Sequence, residues 1–428
     1  MRLRISKVII KTTMQRIAII GAGVSGMSAA RFLADRYSVT VYEKEARPGG
    51  LIKCRRVADS LFHTCGGHVF NSKRQDVLDW FWSLFDKDTA FTKADRRSVV
   101  YTADGRLIPY PIENHVYLFD ADTQKAIVRD LLALTAAPPA EPKNFEQFLR
   151  QRFGDTLYRL YFKPYNEKVW RRSLKSVPLS WLEGKLPMPT IEEIIFNNMN
   201  HVEEKQFVHA SFWYEKCGGS QYLADKMAEG LDIRYGTEVN EILRTGNQWR
   251  ILGELYDKVI FCGNIKQMVE VVKGVPADMC REQVSQLEYH GTTAVFCEID
   301  RNPYSWIYQP STAHESHRII CTGNFSPTNN ASSLPNDRIT ATVEFTDNPS
   351  ADTIRDSMSR MPFAPKYLDR QYNEYTYPIQ DAHTRDMIQQ LKARLRPYDF
   401  YFTGRFADWE YYNMDVAIGA SMDLCKTL

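Results

Sequence analysis

Gln15 to Ile20 is a short, apolar, β-branched run stopped by glycine, the pattern of a parallel strand buried on both faces. The mixed apolar and polar spacing of residues 24–36 predicts a helix, and Ser38-Val-Thr-Val-Tyr-Glu43 predicts a second strand. Together they make a βαβ unit. Lys258-Val-Ile-Phe-Cys-Gly263 and Asp399-Phe-Tyr-Phe-Thr-Gly404 repeat the texture of the first strand far downstream. Both end in glycine, which turns a chain at the carboxyl edge of a parallel sheet, where ligands sit. Between these pieces, residues 123–201 read as mostly helical, with a proline-rich break at Ala137-Pro-Pro-Ala-Glu-Pro142. Residues 284–347 alternate like antiparallel strands, as in Thr292-Thr-Ala-Val-Phe-Cys-Glu-Ile299 and Arg338-Ile-Thr-Ala-Thr-Val-Glu344. The expected class is α/β. A parallel-sheet domain is assembled from 14–110, 215–275 and 385–428, interrupted by a helical domain (111–205) and an antiparallel β-sheet domain (276–384). Residues 1–13 form an extension, and Met14 is an alternative start.

Composition narrows the partners. The chain has 428 residues and a net charge of +2, so nothing draws it to nucleic acid or an anionic membrane. No apolar run reaches the roughly 18 residues of a membrane span, and the basic start lacks the apolar core of a secretion signal. None of the eight cysteines forms a Cys-x-x-Cys pair, which leaves reduced thiols in a cytoplasmic protein as the reading. The 23 tyrosines and 22 phenylalanines are enough to build cores and still spare rings for stacking.

Ile17-Ala-Ile-Ile-Gly21-Ala-Gly23-Val-Ser-Gly26 places a Gly-x-Gly-x-x-Gly motif between the first strand and the helix. Gly21 permits the tight turn, Gly23 lets backbone approach a pyrophosphate, and Gly26 allows helix to pack on strand. The helix N-terminus then faces the negative charge. Glu43 closes the second strand 22 residues after Gly21, where a carboxylate takes ribose hydroxyls. This is the pattern of a Rossmann-like dinucleotide-binding domain.

The following residues favour FAD. Glu43-Lys-Glu-Ala-Arg47-Pro-Gly-Gly50 resembles the acidic residue, arginine and double glycine of the amine-oxidase-like FAD superfamily. The resemblance places Arg47 at the phosphate or ribose region and implies a second FAD contact at Gly404-Arg405. Val239 and Met414 complete the expected cofactor set. Further segments are similar to the UDP-galactopyranose mutase family, in shared order across residues 17–420. They are Gly66-Gly-His68-Val-Phe70, Pro109-Tyr110-Pro-Ile-Glu113-Asn114, Tyr161-Phe-Lys-Pro-Tyr165-Asn-Glu-Lys168-Val-Trp170 and Trp181-Leu-Glu-Gly-Lys185. His317-Arg318 with Asn324-Phe-Ser-Pro327, Tyr375-Thr-Tyr377-Pro378, and Gly404-Arg405 through Tyr411-Tyr-Asn413-Met414 complete the set.

The resemblance implies an isomerase that interconverts pyranose and furanose forms of a UDP-sugar or another NDP-hexose, in cell-surface polysaccharide synthesis. Reduced FAD, with NAD(P)H as reductant, would offer its N5 atom as a covalent nucleophile. Catalytic roles fall to His68, Lys185 and Arg318. Substrate contacts fall to Tyr110, Tyr165, Trp170, Lys185, His209, Arg318, Tyr377, Tyr411 and Asn413. Arginines and tyrosine hydroxyls suit a diphosphate because charge-assisted hydrogen bonds to it are strong.

Three positions depart from the family pattern: Lys185 replaces an arginine, His209 an asparagine and Glu113 a glutamine. Lysine lacks the bidentate fork. Duller readings stand beside these: His68 as a satisfied core histidine, Trp170 and Trp181 as core, and Arg171-Arg172 as a solvated face. Two other functions share the cofactor signals, an oxidoreductase of the amine-oxidase or protoporphyrinogen-oxidase type and a binding protein that keeps the fold without flavin chemistry. A homo-oligomer is compatible with the sequence, which does not fix the state.

Overall fold

The computed structural model describes residues 14–136, 141–179, 189–202 and 211–428. Strand Arg16–Ile20 lies between Ser38–Tyr42 and Lys258–Phe261, and all three run parallel. Phe400–Phe402 extends this sheet on one side and Ile233–Arg234 on the other. The central strand is apolar throughout because both its faces are covered. Ile17 and Ile19 enter a core shared with helices Val24–Leu33 and Met414–Cys425. Ala18 and Ile20 enter another, with Trp249, Met268 and Leu391. The predicted helix 24–36 ends at Leu33, where the N–H groups of Arg36 and Tyr37 both return to its carbonyl.

The second large sheet has seven strands, in spatial order Lys366–Pro378, Tyr289–Asp300, Arg338–Thr346, Arg318–Ile320, Trp306–Tyr308, Ser98–Tyr101 and Leu107–Pro109. Its long central pairings are antiparallel, as expected for 284–347. The last two strands differ from expectation. Residues 98–109 belong by sequence to the parallel-sheet domain, yet Ser98–Tyr101 pairs with Trp306–Tyr308. Val99 and Val100 explain this, because they bury into two different cores on opposite faces of that edge.

Helices Ala121–Ala136, Phe145–Leu157, Lys163–Trp170 and Ile191–Asn200 pack around Phe145, Phe153, Phe162, Trp170 and Ile194. A single π-helical turn, Tyr158–Phe162, joins the second helix to the third. Three bonds fasten that third helix to the seven-stranded sheet. Lys168 Nζ donates to the carbonyls of Gln309 and Ser316 at 2.8 Å each, and Thr346 Oγ1 donates to the Lys168 carbonyl. All eight cysteines are free thiols. Among the described residues, no helix is long and apolar enough to cross a membrane.

Candidate active site

Three parallel strands deliver glycines to one edge. Gly21 and Gly404 adopt φ of +103° and +120°, conformations that side chains rarely take. Gly26 is closed to substitution, since an added Cβ would lie 1.9 Å from the Gly21 carbonyl oxygen. Gly23 is open: nothing comes within 4 Å of such an atom. This is where a pyrophosphate could run against bare backbone. Gly23 is also the N-cap of helix Val24–Leu33 and makes no side-chain cap, which leaves the helix N-terminus for an anion.

Glu43 is anchored across the same turn. Its Oε2 accepts the Ala22 N–H at 2.7 Å and its Oε1 accepts the Glu45 N–H at 2.9 Å. A carboxylate has about four acceptor sites, so capacity remains for ligand hydroxyls. Gly49 bridges Gly23, and Gly50 sits so close that its Cβ would lie 3.3 Å from the Gly23 Cα. Val239 is buried just beyond Thr237, whose N–H donates to the Glu43 carbonyl. Met414 is buried at the start of its helix. Arg47 stands apart: it is exposed and lines a cavity of about 460 Å³ with Arg55, Arg56 and Gln221. The open Gly23, closed Gly26 and anchored Glu43 fit a dinucleotide cofactor.

The Gly404–Arg405 turn leads from this edge into a cluster of aromatic rings. Arg405 donates from Nε to the Tyr412 carbonyl at 3.0 Å and from Nη1 to the Thr376 carbonyl at 3.2 Å. Its guanidinium lies 4.5 Å over the Tyr411 ring. Tyr411 stacks on Tyr377, with centroids 5.2 Å apart and planes within 12°. Arg318 donates from Nη2 to the Tyr377 hydroxyl at 3.2 Å and from Nε to Glu344. Tyr165 packs on Tyr308 (5.4 Å) and Tyr110 on Tyr308 (5.0 Å). Burial raises the Tyr110, Tyr165 and Tyr377 phenols well above their ordinary values, so all three keep their O–H donors at neutral pH.

Glu344 balances the cluster. Burial opposes its ionisation, but Arg318 and His317 hold its carboxyl down at about 2. His68 faces the same region. Its Nε2 donates to the Leu51 carbonyl at 3.0 Å, and burial together with Arg405 pushes its pKa down to about 4. The imidazole is neutral at pH 7.

Placement of the other expected residues is mixed. Trp170 is 2% exposed and joins the helical core. Asn413 is exposed at the N-cap of helix Met414–Cys425, two residues from Tyr411. Glu113 is buried beside Tyr110, its charge helping to raise that phenol. Lys185, His209 and Trp181 lie outside the described residues. Glu344 and Tyr308 were not anticipated. For Glu344 a signal existed: it is the one charge inside the otherwise apolar and threonine-rich run Ile339–Phe345.

The buried imidazoles give a pH prediction. His63 and His314 are also neutral, held at about 3 by burial and His68, and at about 4 by burial and Lys168. Unfolded, these rings would protonate near 6.5. The unfolded state therefore binds more protons in this window, and stability is expected to fall progressively as pH drops from about 6.5 towards 4. Urea unfolding across that range checks it; a flat profile would mean the rings are not held neutral.

Comparison with known proteins agrees with this geometry. Residues 19–87 match the family model for an NAD(P)-binding Rossmann-like domain. UDP-galactopyranose mutase of Mycoplasma genitalium is 22% identical over 434 residues, spanning 96% of this chain and 94% of that protein. dTDP-fucopyranose mutase of Escherichia coli is 24% identical over 271 residues, spanning 61% of this chain and 66% of that one. A crystal structure of reduced UDP-galactopyranose mutase superposes with a TM-score of 0.84 at 22% identity, covering 96% of this chain and 95% of that chain. The chain thus resembles nucleotide-sugar mutases over nearly its whole length, and its fold is theirs: a Rossmann-like parallel sheet with antiparallel sheets and mixed helices.

Proposed function

We propose that the protein is a flavin-dependent isomerase that interconverts the pyranose and furanose forms of a nucleotide sugar, UDP-galactose or a related NDP-hexose. One observation carries the reading. Arg405 leaves the glycine edge and reaches both the Thr376 carbonyl, next to Tyr377, and the face of Tyr411. A single turn thereby joins the dinucleotide site to a buried arginine–tyrosine cluster.

Gly21, Gly23, Gly26, Glu43, Gly50, Val239, Gly404, Arg405 and Met414 would hold FAD. Reduced FAD, when bound, supplies a nucleophilic N5 atom, with NAD(P)H as the proposed reductant. The chain does the rest by binding and position. Arg318 and the Tyr165, Tyr377 and Tyr411 hydroxyls face the diphosphate, whose charge grows as it leaves the anomeric carbon. Preformed donors in a buried site stabilise such developing charge strongly. Neutral His68 adds no cation beside Arg405 and Arg318, and its Nε2–H donates to the Leu51 carbonyl. An amine-oxidase-type reaction would favour an apolar substrate channel, and the Arg318–Tyr377–Tyr411 cluster speaks against it. The proposed partner is a free nucleotide sugar, not a nucleic acid or bilayer, and the proposed location is the cytoplasm.

Dithionite-reduced holoprotein is expected to interconvert UDP-galactopyranose and UDP-galactofuranose, or the dTDP-fucose pair, by chromatographic assay, while oxidised protein does not. The reading fails if no pair is interconverted and UDP leaves the flavin absorption unchanged.

A further inference from the structure

Strand Arg338–Thr346 is buried from Ile339 onwards but has two chemically different faces. Ile339, Ala341, Val343 and Phe345 enter one apolar core, whereas Thr340, Thr342, Glu344 and Thr346 make a polar face no more than 3% exposed. Glu344 supplies the charge on that face. It stands opposite Arg318 on one neighbouring strand and Ala294 on the other. A buried ion pair gains little over well-packed apolar residues of the same size, so its presence in a core calls for more than stability.

The bonds of Glu344 show what more it does. One oxygen, Oε1, accepts the Gly66 N–H at 2.9 Å. The other, Oε2, takes Arg318 Nε and lies 3.6 Å from His317 Nε2. Gly66, at φ +68°, opens the turn that ends in His68. The next residue closes the joint: an added Cβ on Gly67 would lie 2.7 Å from the Ile320 Cγ2, two residues beyond Arg318. The carboxylate therefore pins together the turn that aims His68 and the strand that aims Arg318.

Its hold on Arg318 is also directional. A guanidinium has five N–H donors in a rigid plane. Glu344 occupies Nε and Tyr377 takes one hydrogen of Nη2. The plane is fixed at its Nε edge, and Nη1 with the second Nη2 hydrogen is left to grip an anion.

We propose that Glu344 is a positioning residue that sets the separation and orientation of the Arg318 fork relative to the His68 turn, without touching either ligand itself. This rests on the mutase reading, in which Arg318 binds the diphosphate and His68 lies at the flavin. Misplacement by an ångström at such a site costs on the order of a hundredfold in rate.

The test uses holoprotein carrying Glu344→Gln or Glu344→Asp. Glutamine keeps the shape, but its amide must turn an NH2 group towards either the Gly66 N–H or Arg318 Nε, donor against donor. Glu344→Gln is expected to bind UDP at least about tenfold more weakly by calorimetry and to lose on the order of a hundredfold in kcat. Glu344→Asp keeps the charge at shorter reach and should recover part of both. A merely structural carboxylate would lower the melting temperature yet leave the UDP affinity and kcat of the folded fraction unchanged, and that result overturns the proposal. If Glu344→Gln does not fold as holoprotein, Glu344→Asp decides: an unchanged UDP affinity and kcat overturn it, and a loss of tenfold or more supports it. Wild-type protein that binds no UDP defeats the mutase reading instead, before any substitution is made.

Discussion

Arg318→Ala is expected to be the most damaging single substitution in the site, abolishing measurable turnover and destabilising the fold by about 3–5 kcal/mol. Turnover falls because the fork that meets the diphosphate is gone; loss of one preorganised charge donor costs about 10²–10³-fold on its own. Stability falls for a different reason. Glu344 is 1% exposed, and without Arg318 its charge stays buried with no cation against it, only the Gly66 N–H at 2.9 Å and His317 Nε2 at 3.6 Å. The sign of the pH dependence separates the two causes. In the native protein Glu344 is held at about 2, below an ordinary carboxyl, so its contribution is complete above about 4.5 and lost as pH falls through 2. With the guanidinium removed, burial is opposed only by His317 and the Gly66 N–H, and the pKa moves up. Protonation then relieves the variant, and the stability gap from wild type narrows as pH drops from about 7 to 5. Urea unfolding of both proteins measures this gap. A gap independent of pH would mean the loss is one of packing. Replacing both partners, Arg318→Met with Glu344→Leu, should recover most of the stability and none of the activity.

Gly26→Ala carries the second large effect, and Gly23→Ala is its control. The Gly26 Cβ would overlap the Gly21 carbonyl at 1.9 Å, so helix Val24–Leu33 must lift from its strand. Overpacking of this kind costs about 1–3 kcal/mol, and here it also deforms the cofactor turn. The variant is expected to purify colourless with a lowered melting temperature. Gly23 has φ −76° and ψ −178°, which any residue adopts, and open space around it. Gly23→Ala should therefore change apoprotein stability by less than about 0.5 kcal/mol while weakening FAD binding. The ratio of flavin to protein absorbance, read beside the melting curve of each apoprotein, distinguishes the two. Full flavin content in Gly23→Ala would show that no pyrophosphate passes over this turn.

What the sequence made legible follows from which physics is local. The nucleotide edge was readable because its constraints are backbone constraints: Gly21, Gly26 and Gly404 are required by conformation or close approach, and such needs write themselves into residue identity. The apolar run Ile17–Ile20 was readable because both its faces are buried. The tyrosine–arginine cluster was not readable in that way. Tyr165, Arg318, Tyr377 and Tyr411 lie on four separated segments, and only family resemblance brought them together before the fold did. Trp170 shows a second ambiguity: its ring joins the helical core, and an aromatic at helical spacing suits a core as well as a base. Edge strands were lost for the opposite reason. Ser98–Tyr101 and Leu107–Pro109 are short and pair with each other, but Trp306–Tyr308, the strand that joins them to the sheet, lies some 200 residues away, so no local pattern names the sheet they join. Glu344 shows the limit most clearly: its charge stands out in the strand, but its purpose depends on Gly66 and Arg318, which only the folded chain brings to it.

The parallel sheet carries one more consequence, for the order in which the molecule is made. Its central strand, Arg16–Ile20, emerges early, while Phe400–Phe402 and the Gly404–Arg405 turn emerge almost 400 residues later. At roughly 5–20 residues per second, the ribosome holds the glycine loop without its opposite wall for tens of seconds. From the time Lys258–Phe261 is made until Phe400–Phe402 follows, some 140 residues later, the edge that Phe400–Phe402 will cover is unpaired, and an unpaired strand edge is a template for wrong partners. The wall that Gly404 and Arg405 lend to the glycine edge is thus completed only when that strand is in place.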